Sequence, residues 1–158
     1  MMWVCRAGMN SVHFKYYLSS CKIFLPWDGF KTDLNQFETR EEYKALVKKE
    51  KPDAPRTSVS NWSGQLYTFC KEMKSEDFVL IPQQGSKKYA FAKIISDYMF
   101  DETNQQKLWH SREIDIIAND IPREAFSQSL QYSLGAYRTV FKVKAEEEVF
   151  KVISSYKK

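Results

Sequence analysis

The sequence predicts an α+β domain built on a strongly curved mixed sheet, or a small barrel, flanked by helices. Three observations carry this reading. Helix-periodic segments interleave with strand-like ones, and several strands follow one another in the middle of the chain. The length, 158 residues, suits one compact domain over 1–158. A hydrophobic share of 43%, with 11 Phe, 9 Tyr and 4 Trp, fills a core and leaves rings available to stack on flat ligands.

Met2 to Arg6 reads as a short apolar strand that Gly8 and Asn10 break. Ser11 to Ser19 is expected to be helical, with Val12, Tyr16 and Leu18 or Phe14 inward. Cys21 to Leu25 is almost wholly apolar, as a central strand would be, and Pro26, Asp28 and Gly29 end it. Thr39-Arg40-Glu41-Glu42 is a capping box and opens a helix to about Lys49, with Tyr43, Leu46 and Val47 on one side. Pro52 and Pro55 stop it, and Lys51 to Thr57 reads as a polar loop.

Asn61 to Met73 is the strongest helix, since Trp62, Leu66, Phe69 and Met73 recur at helical spacing behind a Ser60 or Asn61 cap. Asp77 to Pro82 is a strand, Gln83 to Lys87 a turn, and Lys88 to Phe100 a longer strand. Leu108 to Ala118 alternates loosely and reads as another strand. Pro122 begins a turn or short helix, Ser127 to Gly135 reads as a loop, Tyr137 to Val143 as a strand and Ala145 to Tyr156 as a closing helix. No repeat, low-complexity tract or linker interrupts the chain. The closing Lys157-Lys158 suits a domain cut from a longer chain and a natural terminus equally.

The net charge of +4 fits nucleic-acid contact without requiring it. Cys5, Cys21 and Cys70 are odd in number and lack CxxC spacing, which reads as free buried thiols in a reducing, cytoplasmic setting. No apolar run approaches the roughly 20 residues of a membrane span, and no cofactor motif is present. The residues also lack a catalytic set. His13 and His110 are the only histidines, and His110 and Ser111 are strand neighbours whose side chains face opposite ways. Glu113 and Asp115 share one strand face, which reads as solvated charge rather than a metal site. The expectation is a binding domain, not an enzyme.

The most specific stretch is Asn61-Trp62 followed by Gly64 to Pro82: a helix, a turn ending in Met73-Lys-Ser-Glu-Asp77, and a strand. A second strand, Ala90 to Asp97-Tyr98, follows. This order resembles the EVE and YTH domains of the PUA-like superfamily. It resembles more closely the PUA-like modules at the N-termini of Mrr-type and McrB-type modification-dependent restriction proteins. The resemblance rests on Trp3 to Gly8, on Trp27 after the second strand, and on the Asn-Trp-x-Gly-Gln-Leu run Asn61 to Leu66. Asp120-Ile-Pro-Arg123, Phe126-Ser-Gln128 and Tyr132-Ser-Leu-Gly-Ala136 complete it, so that it covers about residues 2 to 143.

The resemblance implies a reader that takes a modified base, flipped from DNA, between aromatic rings and reads its edge with polar groups. Trp62 is then the first candidate for a cage wall, with core packing on the helix stripe as its alternative. Asn61 and Ser63 are candidates for the base edge. The strand Ile114 to Ala118 lacks the ring that the family often places there; either Trp27, Tyr98 or Tyr132 supplies the second wall, or the pocket takes a different base modification or none. Lys87, Lys88, Arg112, Arg123 and Arg138 are candidate phosphate contacts. The partner is DNA carrying a modified base, with RNA as the alternative that the YTH likeness raises. A non-nucleic-acid ligand or protein partner is a third reading. In a restriction or defence system, a nuclease or NTPase effector domain would supply the chemistry.

Overall fold

The structure, a computed structural model, describes residues 1–156. Strand β1 (Met2–Cys5) leads through a 3-10 turn to helix α1 (Phe14–Ser20) and strand β2 (Lys22–Phe24). Helices α2 (Arg40–Glu50) and α3 (Arg56–Tyr67) follow, and then strands β3 (Phe78–Gln83), β4 (Lys88–Ile94), β5 (Met99–Phe100) and β6 (His110–Pro122). Helix α4 (Gln128–Leu134), strand β7 (Val140–Lys142) and helix α5 (Glu146–Ser154) complete the chain.

The sheet runs β2-β6-β4-β3-β1-β7, with β5 pairing β6 beside it. β1 lies parallel to β3, and the other pairings are antiparallel. The sheet is therefore mixed, and it curls into a half-barrel. Register shifts between β4 and β6, around Tyr89, Phe91 and Ala92, sharpen the curl, as bulges do. The 13-residue β6 reaches β4 with its second half and β2 and β5 with its first.

Strand alternation separates two cores. Trp3, Cys5, Val79, Ile81, Ala90, Ala92 and Ile94 face α1, α2 and α3. Met2, Val4, Leu80, Tyr89, Phe91 and Ile121 face α4 and α5.

Several elements depart from the sequence expectations, each for a local reason. α3 begins at Arg56, because Pro55 at its N-cap presets an entry geometry and Val59 is buried. Val59, Ser63 and Leu66 take the inward face, which leaves Trp62 half-buried at its edge. The end of the helix widens into a π turn over Thr68–Glu72, closed by the Met73 N–H donating to the Thr68 carbonyl. The long strand expected over Lys88 to Phe100 breaks after Ile94, where Ser96 Oγ accepts the Glu113 N–H, and resumes as β5. Ser127 to Gly135 is not a loop: Ser127 caps α4 by accepting the Leu130 N–H, and Leu130 and Leu134 are buried one turn apart. α1 starts at Phe14 and buries Phe14 and Tyr17, while Val12 stays exposed.

Candidate functional site

A cavity of about 490 Å³ opens on the α3 side of the sheet. Trp27, from the loop after β2, and Trp62, from α3, both line it, with Phe30 at its base and Tyr137 at its mouth. Trp27 packs against Phe30 with ring centroids 6.2 Å apart. Its cationic groups are Arg6, Lys51 and Arg138, against the single carboxylate of Asp28. The Lys51 ammonium stands 5.7 Å from the Trp62 ring centroid. Asn10 and Gln84 add amides that can both donate and accept. Aromatic walls, a few polar groups and a cationic rim suit a planar or anionic ligand.

The wall opposite α3 is held by side chains that spend their polar atoms on backbone. Arg6 donates from Nε to the Arg138 carbonyl at 3.1 Å. From Nη2 it donates to the carbonyls of Leu134 and Ala136 at 3.3 and 3.0 Å. These bonds keep the 134–138 segment out of the sheet, so β7 starts at Val140 rather than Tyr137. Gln65 is buried on α3, and its Oε1 accepts the N–H groups of Thr139 and Val140 at 2.9 and 3.0 Å. Thr139 Oγ1 in turn accepts the Trp27 indole N–H at 3.0 Å. Gln65 thus sets the position of Thr139, and Thr139 sets the plane of Trp27. The glutamine of the Asn-Trp-x-Gly-Gln-Leu run is a positioning residue for the other tryptophan.

A buried polar centre supports the cavity from beneath. His110 donates from Nε2 to the Phe30 carbonyl at 2.7 Å and accepts the Tyr98 hydroxyl at Nδ1 at 2.6 Å. Tyr98 Oη also accepts the Leu34 N–H. Burial pushes the His110 pKa down to about 4, which keeps the imidazole neutral and leaves Nδ1 free to accept. The ring pins Phe30, whose backbone sits at a φ of 57° and whose N–H donates to Glu50. A left-handed phenylalanine persists only where its surroundings over-determine it.

Among the candidates from the sequence, Trp27, Trp62 and Arg138 come together on the cavity. The others are placed elsewhere. Ser63 is buried, and its hydroxyl donates to the Ser60 carbonyl rather than to a base edge. Asn61 accepts from Gln65 Nε2 and faces a neighbouring groove. Tyr98 is the partner of His110 and packs against Phe69, so it is not a cage wall. Tyr132 is 78% exposed on α4 and lines none of the hollows described here.

Arg112 is the clearest correction: it is 2% exposed and cannot reach a phosphate. Its Nε and Nη2 donate to the carbonyls of Phe69 and Cys70 in the π turn, and Nη1 donates to Ser96 O. A guanidinium there satisfies carbonyls that the end of a helix leaves open and complements its dipole. Lys88 is paired with Asp120 at 2.6 Å, while Lys87 and Arg123 are exposed beside the β3–β4 turn.

Lys51, Phe30, Tyr137, Asn10 and Gln84 reach the cavity from loops and carry no periodic signal in the sequence. Glu113 and Asp115 stand opposite Lys22 and Lys93 across the sheet, which accounts for their shared face. Among the described residues no three His, Cys, Asp or Glu side chains gather as metal ligands, and no helix is long and apolar enough to cross a membrane. Cys5, Cys21 and Cys70 are free; Cys5 and Cys70 are buried, but Cys21, at the left-handed C-cap of α1, is exposed rather than buried, and burial pushes the Cys5 thiol up to about 12.

The family described as a domain of unknown function, DUF8426, matches residues 3–144. The chain belongs to that family. Comparison with curated proteins finds no match. The matched part of this DUF8426 domain takes in every residue that lines the cavity, from Arg6 to Thr139, and ends before α5.

Proposed function

We propose that this domain is a nucleic-acid reader that captures a modified base, flipped out of DNA, in the Trp27–Trp62 cavity, and that it performs no chemistry on it. The observation that carries the reading is the pair of tryptophans on one cavity whose rim holds Lys51 and Arg138. A flipped base needs π faces to replace lost stacking, edge groups to identify it and cations to hold the flanking phosphates. Unstacking costs a few kcal/mol, and stacking on an aromatic side chain returns about 1–3 kcal/mol per base. A methyl group adds under about 1 kcal/mol, so the modification tips a nearly balanced exchange. Asn10, Asp28 and Gln84 are the edge readers on this reading. In a restriction or defence system such a module supplies specificity, and a separate domain supplies cleavage or translocation. The PUA-like resemblance supports the same assignment.

The test is a binding panel of single- and double-stranded DNAs and matched RNAs. Each carries one unmodified base, N6-methyladenine, 5-methylcytosine or 5-hydroxymethylcytosine. Preference for one modified base, with at least about tenfold loss in Trp62→Ala and Trp27→Ala, is expected. Preference for the ribose form would make the domain an RNA reader. Equal affinity for all bases would remove the reading.

A further inference from the structure

A groove of about 730 Å³ adjoins the cavity, and Arg138 lines both. Its floor is one stripe of α3: Thr57, Ser60, Asn61, Gly64, Gln65 and then Thr68, at the i+3 and i+4 spacing of a single helix face. Its walls carry Arg40, Arg56, Arg138 and Lys142 against one carboxylate, Glu72. Arg40 pairs with that carboxylate at 3.6 Å. Among the described residues, the side chains of Arg56, Arg138 and Lys142 form neither an ion pair nor a hydrogen bond.

Gly64 is the second observation. It lies inside α3 with helical backbone, and a Cβ built on it would meet nothing within 4 Å beyond its own stretch of helix. Neither a turn nor packing within the chain calls for glycine, and glycine inside a helix is the weakest ordinary choice after proline. An open helix backbone between uncompensated cations admits something close to it. Hydroxyls, an amide and arginines are the groups that hold phosphates without reading sequence.

We propose that this groove is the track for the sugar-phosphate backbone flanking the captured base. The strand leaves the cavity past Arg138 and crosses α3 over Gly64, with Arg56 and Lys142 on its phosphates. The inference rests on the reader assignment of the cavity and adds the path of the bound polymer. It moves the phosphate contacts away from Lys88 and Arg112, whose charges are spent within the fold.

Single-stranded oligonucleotides of about twelve residues test it, a length near the span of small single-strand binding domains. Each carries one central N6-methyladenine, 5-methylcytosine or 5-hydroxymethylcytosine, and the matching free nucleosides serve as probes of the cavity alone. The variants are Gly64→Glu and the double substitution Arg56→Ala with Lys142→Ala, checked by thermal melting. Both are expected to melt close to wild type and to bind oligonucleotide about tenfold more weakly. The slope of log affinity against log salt should fall by about one unit per charge removed. Nucleoside binding should not change. Base preference that depends on Trp27 and Trp62, with oligonucleotide affinity unchanged in both groove variants, overturns the track and leaves the reader. Groove-dependent binding with no base preference keeps the track and overturns the reader. No binding of wild type to any oligonucleotide at low salt overturns both.

Discussion

Two clusters of aromatic and cationic side chains lie on the α3 side of the sheet. Around Arg112, Tyr98 and His110, the Arg112 donors end on three carbonyls, and the Tyr98 hydroxyl and the His110 ring nitrogens all have partners. Around Trp27 and Trp62, Arg138 and Lys51 have no hydrogen-bond partner for their side chains among the described residues. In composition the clusters are alike, each with rings and an arginine, and only accounting for every donor and acceptor separates them. A cation whose donors are used on backbone holds the fold together. A cation with unused donors beside open aromatic faces is available to a ligand. The two clusters meet at Phe30, held by His110 from below and facing the cavity above.

Breaking the saturated cluster should have the largest effect. Arg112→Leu leaves three carbonyls without donors and should cost about 4 kcal/mol of stability. Arg138→Leu, at the open cluster, should change stability by less than about 0.5 kcal/mol. Urea unfolding of both variants makes the comparison, and equal losses would erase the distinction.

Next comes acid. The folded pKa of His110, about 4, lies below its ordinary 6.5, so the unfolded chain takes up the proton first. The stability it contributes is complete above pH 6.5 and is lost as pH falls toward 4, by about 3 kcal/mol in all. Denaturant midpoints across that range should fall in the wild type and much less in His110→Gln. A parallel fall in the variant would assign the acid sensitivity to other groups.

Gln65→Leu tests the link between the two tryptophans. The buried Val140 N–H and the part-buried Thr139 N–H lose their acceptor, which should cost about 2–3 kcal/mol. With Thr139 loosened, Trp27 should become more accessible to a neutral fluorescence quencher, read as the difference between a Trp62→Phe background and a Trp27→Phe/Trp62→Phe background, since Trp3 and Trp109 also emit. Unchanged quenching would mean that Phe30 packing alone orients Trp27.

The smallest effects belong to single contacts at the surface. Lys51→Gln removes a cation–π contact worth about 0.5–1 kcal/mol, readable as a small shift in melting temperature. Tyr132→Ala should change neither stability nor modified-base binding measurably, and a binding defect there would move the site toward α4.

The sequence by itself determined the α+β class, the apolar strands, the capped α2 and the apolar run of α3. These follow from periodicity and from capping chemistry acting over a few residues. It also marked Trp27 and Trp62 as tryptophans set near turn and helix signals. It could not show that Ser127 to Gly135 is helical, because the leucines Leu130 and Leu134 form too short a pattern until the second core buries them. Nor could it separate Arg112 from Arg138. Both are arginines in segments that read as strands, and nothing local distinguishes a guanidinium that will meet three carbonyls from one that will meet none. That difference arises when the π turn of α3 is brought over β6, some forty residues away along the chain, at separations of 43 and 42 residues for the two carbonyls. Tertiary structure alone decided which polar groups were satisfied within the fold and which were left open.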